Sequence, residues 1–158
     1  MPGNPSPPSA TAALGPTDIP TLPTSPASGA TASGMHIERH DGFDRLVYDF
    51  GGTYAPSWRA EYVAEATQRG RQTSLQINGR SILQIYFFNT ASSAESSIPE
   101  YSGANPLSDP AAHGVVEVYL TPNFERATQS FVGLRADYPQ FQVITLTEPM
   151  RIAVDIFD

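Results

Sequence analysis

The chain has 158 residues, no cysteine and no lysine, and its nine arginines against sixteen acidic residues give a formal net charge of −7. Without cysteine, a structural disulfide, a thiolate nucleophile and a cysteine-based zinc site are excluded. An acidic chain without basic runs also argues against nucleic-acid binding and against docking on anionic lipid, and no apolar run approaches the roughly 18 residues that span a bilayer.

Residues 1–34 consist almost entirely of Pro, Ala, Ser, Thr and Gly. Such a segment buries too little apolar area to offset its ordering entropy, so it predicts a disordered tether that its prolines stiffen. The first eight residues lack the charged and apolar regions of a signal peptide. We therefore expect either a cytosolic protein or a sequence that starts after a removed export signal. Residues 35–158 are the predicted folded domain, which is large enough to bury a core.

The predicted domain contains short alternating or apolar segments separated by Gly, Pro and Asn, a pattern typical of strands. The predicted strands are residues 45–50, 58–63, 82–88, 115–120, 141–146 and 151–157. Helix signals are weak, with one or two turns at most predicted in 64–70 and 123–130. The polar loop 89–113 is long enough to be functional or disordered. This pattern predicts an all-β sandwich or barrel.

Two predicted strands resemble each other. Residues 43–50 and 149–156 share an Arg, an apolar position, two mainly apolar positions, an Asp and a further apolar position. Because side chains alternate along a strand, the Arg and Asp residues lie on one face and the apolar residues face the core. We predict a structural repeat in which these charged residues pair with neighbouring strands; they are Arg45, Asp49, Arg151 and Asp155.

Residues 40–50 (HDGFDRLVYDF) and 141–155 (FQVITLTEPMRIAVD) resemble the AMIN-like domain of actinobacterial lipoproteins, which is related to the AMIN domains of cell-wall amidases and secretins. The resemblance covers residues 35–158 and is strongest at the two ends. It implies a small β-sandwich of two short sheets with internal pseudo-symmetry, in an extracytoplasmic protein of the cell envelope. It also implies a lipid anchor on an N-terminal cysteine that this sequence lacks, and a binding or targeting domain rather than an enzyme.

Catalytic and metal-binding patterns are weak in this sequence. A Gly-x-Ser-x-Gly elbow is missing. His36 and His40 lie on one face of an extended segment, roughly 13 Å apart, which is too far to share one metal ion. Asp41 and Asp44, which flank the turn at residues 42–43, are expected to accept hydrogen bonds from the amides of that turn. We therefore predict no catalytic residue, no metal and no cofactor.

Arginines near aromatic residues are the best candidates for ligand binding. Guanidinium groups bind carboxylates through paired hydrogen bonds, and aromatic faces stack on sugar rings or on guanidinium groups. A wall polymer offers both carboxylates and sugar faces. The predicted ligand-binding residues are Arg59, Arg69, Arg71, Arg80, Trp58, Tyr62, Tyr101 and Arg135. An alternative interpretation places Trp58 and Tyr62 in the core and leaves Arg69 and Arg71 as solvated loop charges.

Four functions remain open at this point. The first is a non-catalytic module that binds peptidoglycan or an associated wall polymer. The second is a protein-interaction module that positions or activates a cell-wall enzyme or an envelope assembly, through the 89–113 loop or by strand addition at a sheet edge. A carrier of a lipophilic ligand lined by residues 82–88 is the third, and an enzyme is the least favoured. The expected partner is a wall polymer or an envelope protein.

Overall fold

The computed structural model describes residues 29–52, 55–71 and 74–158, so most of the predicted tether lies outside the described residues. The elements are β1 (Thr31–His40), β2 (Phe43–Gly51), β3 (Ser57–Val63), β4 (Ala66–Thr67), β5 (Ser74–Leu75), β6 (Ser81–Phe88), α1 (Ser93–Ser96), β7 (Val115–Leu120), β8 (Ala127–Leu134), β9 (Phe141–Leu146) and β10 (Arg151–Phe157). Within these described ranges, no helix is long and apolar enough to cross a bilayer.

The strands form two four-stranded antiparallel sheets and one small ladder. Sheet I has the order β1-β2-β10-β9, sheet II has the order β3-β6-β8-β7, and β4 pairs with β5. Alternate residues of both sheets point into a shared apolar core. Its largest fully buried members include Leu46, Tyr48, Ile152, Leu83, Ile85, Phe87 and Leu134. The prediction of an all-β fold built from two short sheets is confirmed.

The two strands that resemble each other in sequence lie side by side at the centre of sheet I. In the antiparallel register of β2 and β10, Arg45 is opposite Asp155 and Asp49 is opposite Arg151. Arg45 donates from Nε and Nη2 to the two carboxylate oxygens of Asp155 at 2.7 and 3.0 Å. Burial raises the pKa of Asp155, but the hydrogen bonds from Arg45 and Gln142 outweigh it and lower that pKa. The ion pair therefore holds the two central strands together on their outer face.

All six predicted strands are present, as β2, β3, β6, β7, β9 and β10. The predicted helical turns are wrong in both places. Residues 64–70 contain β4, and the second half of 123–130 belongs to β8, every residue of which is buried. The polar residues of β8 are of the kind that usually lies on an exposed surface. In the fold they are buried, and their side chains form hydrogen bonds with other segments. Ser130, for example, shares a 2.7 Å hydrogen bond with the Tyr48 hydroxyl.

Strand β1 begins at Thr31, before the predicted domain boundary at residue 35. The start of β1 is held by the 89–101 part of the long loop. The Ala91 amide donates to the Ala30 carbonyl at 2.8 Å, the Thr31 hydroxyl donates to the Ala91 carbonyl at 2.9 Å, and the Tyr101 amide donates to the Ala32 carbonyl at 2.9 Å. The first residues of β1 are small and polar, like those of the predicted tether. Composition alone therefore placed the start of the domain four residues too late.

A buried carboxylate on β2 connects the two sheets. Asp44 is fully buried and accepts hydrogen bonds from the backbone amides of His113, Gly114 and Val115 at 3.2, 2.6 and 2.9 Å. Arg39 donates to the same carboxylate at 2.9 Å. The expectation that Asp44 binds the amides of its own turn is therefore wrong, because its acceptor atoms face the start of β7. Burial raises the pKa of Asp44, but these four donors outweigh it and lower that pKa.

Replacing Asp44 with Ala should lower the free energy of unfolding by about 3 kcal/mol, because Arg39 and three amides lose their buried acceptor. Asp158→Ala is the matched control, since Asp158 is the half-exposed second partner of the same Arg39, at 2.6 Å. Exposed ion pairs contribute little to stability, so the control should change the urea midpoint far less. Equal losses in the two variants would contradict this assignment.

The same carboxylate should make stability depend on acid. The folded-state pKa of Asp44 lies below its unfolded value of about 3.9, so its contribution is present above that pH and is lost as the pH falls further. In Asp44→Asn, the free energy of unfolding should therefore fall less steeply as the pH is lowered through the acid range. Part of the fall should remain, because the pKa of Asp155 is also lowered. Urea unfolding across the acid range tests this, and a fall as steep as that of the wild type would contradict it.

Candidate ligand-binding surface

Aromatic side chains of β6 lie on the outer face of sheet II. Leu83, Ile85 and Phe87 point into the core, so Tyr86 and Phe88 point away from it, with ring centroids 4.6 Å apart. Arg59 is opposite Tyr86 in the β3–β6 register, and its guanidinium lies 5.7 Å from the Tyr86 ring and 5.5 Å from the Phe88 ring. This distance is that of a cation–π contact, which holds an exposed positive charge against the two rings.

Arg69 approaches Tyr86 with a second positive charge. Its Nη1 donates to the Tyr86 hydroxyl at 2.6 Å, and its Nη2 donates to Glu125 at 3.1 Å. The backbone amide of Arg69 donates to the side-chain oxygen of Gln129 at 2.7 Å, which fixes the start of the arginine side chain. The hydrogen bonds with Tyr86 and then Glu125 raise the pKa of Arg69, so it stays charged. We call Arg59, Arg69, Tyr86 and Phe88 the Tyr86 surface.

Arg69 belongs to a covering segment, residues 64–71 and 74–80, that lies on the outer face of sheet II. Ala66 and Ile77 pack against Phe131 of β8 in a small apolar cluster that is separate from the main core. Gly133 allows this close approach, because a Cβ at that position would lie 1.8 Å from the Asn78 carbonyl oxygen. The covering segment therefore rests directly on β8, and this packing positions Arg69.

Trp58 and Tyr62 lie on the opposite side of β3 from Arg59. Both are half-buried and pack against the main core. Tyr62 donates a hydrogen bond to the Pro139 carbonyl, and its burial raises its pKa. The alternation of side chains along β3 therefore separates these aromatic residues from Arg59, so the structure does not bring them to the Tyr86 surface.

The remaining predicted residues lie at separate places. Arg80 is exposed and pairs with Asp137, with Nη2 and the carboxylate oxygen 2.8 Å apart. Arg135 donates to the His113 carbonyl at 3.0 Å and lines a cleft of about 410 Å³ at one end of the sandwich. Tyr101 lines a different cleft of about 300 Å³. Arg71 has an exposed side chain. Of the eight predicted residues, Arg59 and Arg69 thus share one surface.

Sequence reasoning missed Tyr86 and Phe88, because the whole run 82–88 was interpreted as a core strand. Gln84, the one strongly polar residue in that run, is the sequence signal that could have placed the even-numbered residues on the outer face. His36 and His40, predicted to lie on one face of an extended segment, belong to a polar cluster on the outer face of sheet I. Both His36 and His40 contact the Glu38 carboxylate through Nε2 at 2.8 Å, and these hydrogen bonds lower the pKa of Glu38. In the described part of the chain, no group of three or more His, Asp or Glu side chains is arranged to hold a metal ion.

The Tyr86 surface combines two guanidinium groups with the half-buried ring of Phe88, while the Tyr86 ring that both arginines contact is itself buried. Guanidinium groups recognise carboxylates through charge-assisted hydrogen bonds, and aromatic faces stack on flat apolar faces such as those of sugars. Glu125, which is mostly exposed, already shows that a carboxylate binds Arg69 here. The arrangement is therefore suited to binding an anionic or carbohydrate ligand.

A family model described as the AMIN-like domain matches residues 30–158. The match begins next to the first residue of β1 and includes both sheets, and it confirms the resemblance found at the two ends of the sequence. No curated protein and no solved structure shows significant similarity to the chain.

Gly133→Ala should displace the covering segment, because the added Cβ meets the Asn78 carbonyl at 1.8 Å. Overpacking of this kind costs about 2 kcal/mol, and amide exchange in the covering segment should become faster. Gly114→Ala is the control, since its added Cβ has neighbours no closer than 3.5 Å. Urea unfolding and hydrogen exchange measure both effects. Similar behaviour of the two variants would argue against the close packing of Asn78 on β8.

Proposed function

Because the chain belongs to the AMIN-like domain family, we propose that it is a non-catalytic binding module whose ligand is peptidoglycan or an associated wall polymer. At the family level, such domains are generally non-catalytic modules associated with the cell envelope. The observation that carries the finer proposal is the Tyr86 surface, where Arg59 and Arg69 converge on one aromatic ring from separate elements.

The chemistry of the wall fits this surface. Peptidoglycan presents carboxylates on its stem peptides and apolar faces on its sugars. A stem-peptide carboxylate that displaces Glu125 would bind the Arg69 guanidinium, which also contacts the Tyr86 hydroxyl. The Arg59 guanidinium lies over the ring of the same tyrosine. Phe88 is half-buried, which leaves part of its ring as a platform for a sugar face. The surface would thus contact both components of the polymer.

The location proposed for the chain follows from the same function. We propose an extracytoplasmic protein in which the segment before β1 acts as a tether and the sandwich that begins with β1 is the binding domain. AMIN domains occur in extracytoplasmic envelope proteins, which supports the envelope location at a coarse level. Attachment to the membrane would then be through a lipid anchor that precedes this sequence.

Purified wall sacculi should pellet the full chain in a saturable and salt-sensitive manner, because the contact is partly electrostatic. The double variant Arg59→Gln, Arg69→Gln should bind about tenfold more weakly or worse. Arg80→Gln is the matched control: it removes an arginine charge whose partner, Asp137, lies outside the Tyr86 surface. The control should bind like the wild type in the same co-sedimentation assay.

Two outcomes would overturn the proposal. Failure of the wild-type chain to pellet at low salt would exclude wall binding. A loss in Arg80→Gln as large as that in the double variant would show that overall charge, rather than the Tyr86 surface, retains the protein on the wall.

A further inference from the structure

Each four-stranded sheet has two edge strands, which are β1 and β9 in sheet I and β3 and β7 in sheet II. An edge strand exposes unpaired amides and carbonyls, and natural proteins usually cover it or place charges on it. The start of β1 is covered by the 89–101 loop, as described above. The middle of β7 is covered by Leu107, which exchanges two 2.8 Å backbone hydrogen bonds with Val118. β3 carries exposed Arg59 and Glu61.

In the part of the chain that the structure describes, strand β9 has none of these protections. Its sequence, FQVITL, contains no charged residue and no proline, and its register with β10 is free of bulges. Within the described ranges, the backbone of β9 makes no hydrogen bond outside its ladder with β10. This strand is therefore open to pairing along its outer side.

The register identifies the groups that face outward. The Phe157 amide donates to the Gln140 carbonyl at 3.0 Å, just beyond the ladder, so this pair is a hydrogen-bonded one. Hydrogen-bonded and non-hydrogen-bonded pairs alternate in an antiparallel ladder. The backbone groups of Gln142, Ile144 and Leu146 therefore face β10. The amides and carbonyls that face outward are those of Phe141, Val143 and Thr145.

An aromatic rim lies beside this open edge. Phe141 and Val143 pack on the border of the main core. Tyr62 of β3 contacts Phe141 and Tyr138 edge to face, at 5.8 and 5.1 Å between ring centroids. Tyr138 is 68% exposed, the largest value for a bulky apolar residue in the described ranges. A strand added at β9 would place alternate side chains beside this rim and the others beside Ile144 on the outer face.

We propose that β9 accepts an extended segment of a partner protein as a fifth strand of sheet I. The inference goes beyond wall binding, because it uses the edge of sheet I rather than the outer face of sheet II. The fitting partner segment is five or six residues long, apolar at alternate positions and free of acidic residues, roughly the length of an average strand. The net charge of −7 favours a neutral or basic segment.

A second copy of the chain fits the edge less well. Two copies with a charge of −7 repel each other. The charge of the chain therefore favours a different protein as the occupant.

Amide hydrogen exchange on the full chain tests this proposal residue by residue. In the free protein, the amides of Phe141, Val143 and Thr145 should exchange fast, while those of Gln142, Ile144 and Leu146 are protected. A fluorescent peptide, Lys-Val-Thr-Val-Thr-Val-Lys, should bind saturably in an anisotropy titration. It should slow exchange of the three outward amides by about tenfold or more.

Thr145→Pro supplies the decisive variant. Thr145 is exposed and its amide faces away from β10, so proline is tolerated there as it is on edge strands. The variant should lose peptide binding about tenfold or more, whereas Thr145→Val, which keeps the amide, should bind like the wild type. If Thr145→Pro unfolds, Ile144→Lys provides a second variant, because a lysine on an edge strand blocks pairing.

Three results would overturn the proposal. The first is a lack of peptide binding by the wild type although its outward amides exchange fast. The second is equal binding by the Thr145→Pro and Thr145→Val variants. The third is protection of the outward amides that appears without peptide and rises with protein concentration, which would assign the edge to a second copy of the chain.

Discussion

The arrangement of the two sheets depends on the buried carboxylate of Asp44. A charge removed from water is costly unless hydrogen bonds compensate it, and here three amides at the start of β7 and the Arg39 guanidinium provide four donors. Because Asp44 lies on β2 of sheet I and its amide partners lead into sheet II, satisfying this charge fixes how one sheet lies on the other. Tyr48, on the same strand, reaches Ser130 of sheet II and adds a second polar contact across the core.

With the two sheets fixed, strand β3 borders both proposed binding regions. Its outward residue Arg59 belongs to the Tyr86 surface, while its inward residue Tyr62 contacts Phe141 beside the open edge of β9. A wall polymer on the outer face of sheet II and a protein segment on the edge of sheet I would therefore bind on adjoining sides of the domain without sharing residues. Such an arrangement would allow one small domain to hold a partner protein at the wall.

Strand positions were predictable where apolar alternation and turn residues agree, as in β2, β3 and β10, or where a short run is apolar almost throughout, as in β6. They were not predictable where polar residues are buried: β8 contains Thr128, Gln129 and Ser130, whose partners come from distant segments. Arg59 and Arg69 were predicted, but nearness in sequence also suggested Trp58, which alternation places on the other face. The three backbone amides that donate to Asp44 lie about seventy positions away, and no local pattern in the sequence points to them.

The covering segment that carries Arg69 has a thermodynamic consequence for the Tyr86 surface. Among the described residues, the apolar cluster that holds it on sheet II has three buried members, whereas Arg59 lies on a strand of the main sandwich. Segments with few buried contacts open more readily than the core. A ligand that joins the two arginines would restrict this segment and pay for it in conformational entropy. A short wall fragment bears that cost alone, but a long polymer offers many equivalent carboxylates at high effective concentration. The surface would therefore favour intact wall over its soluble fragments.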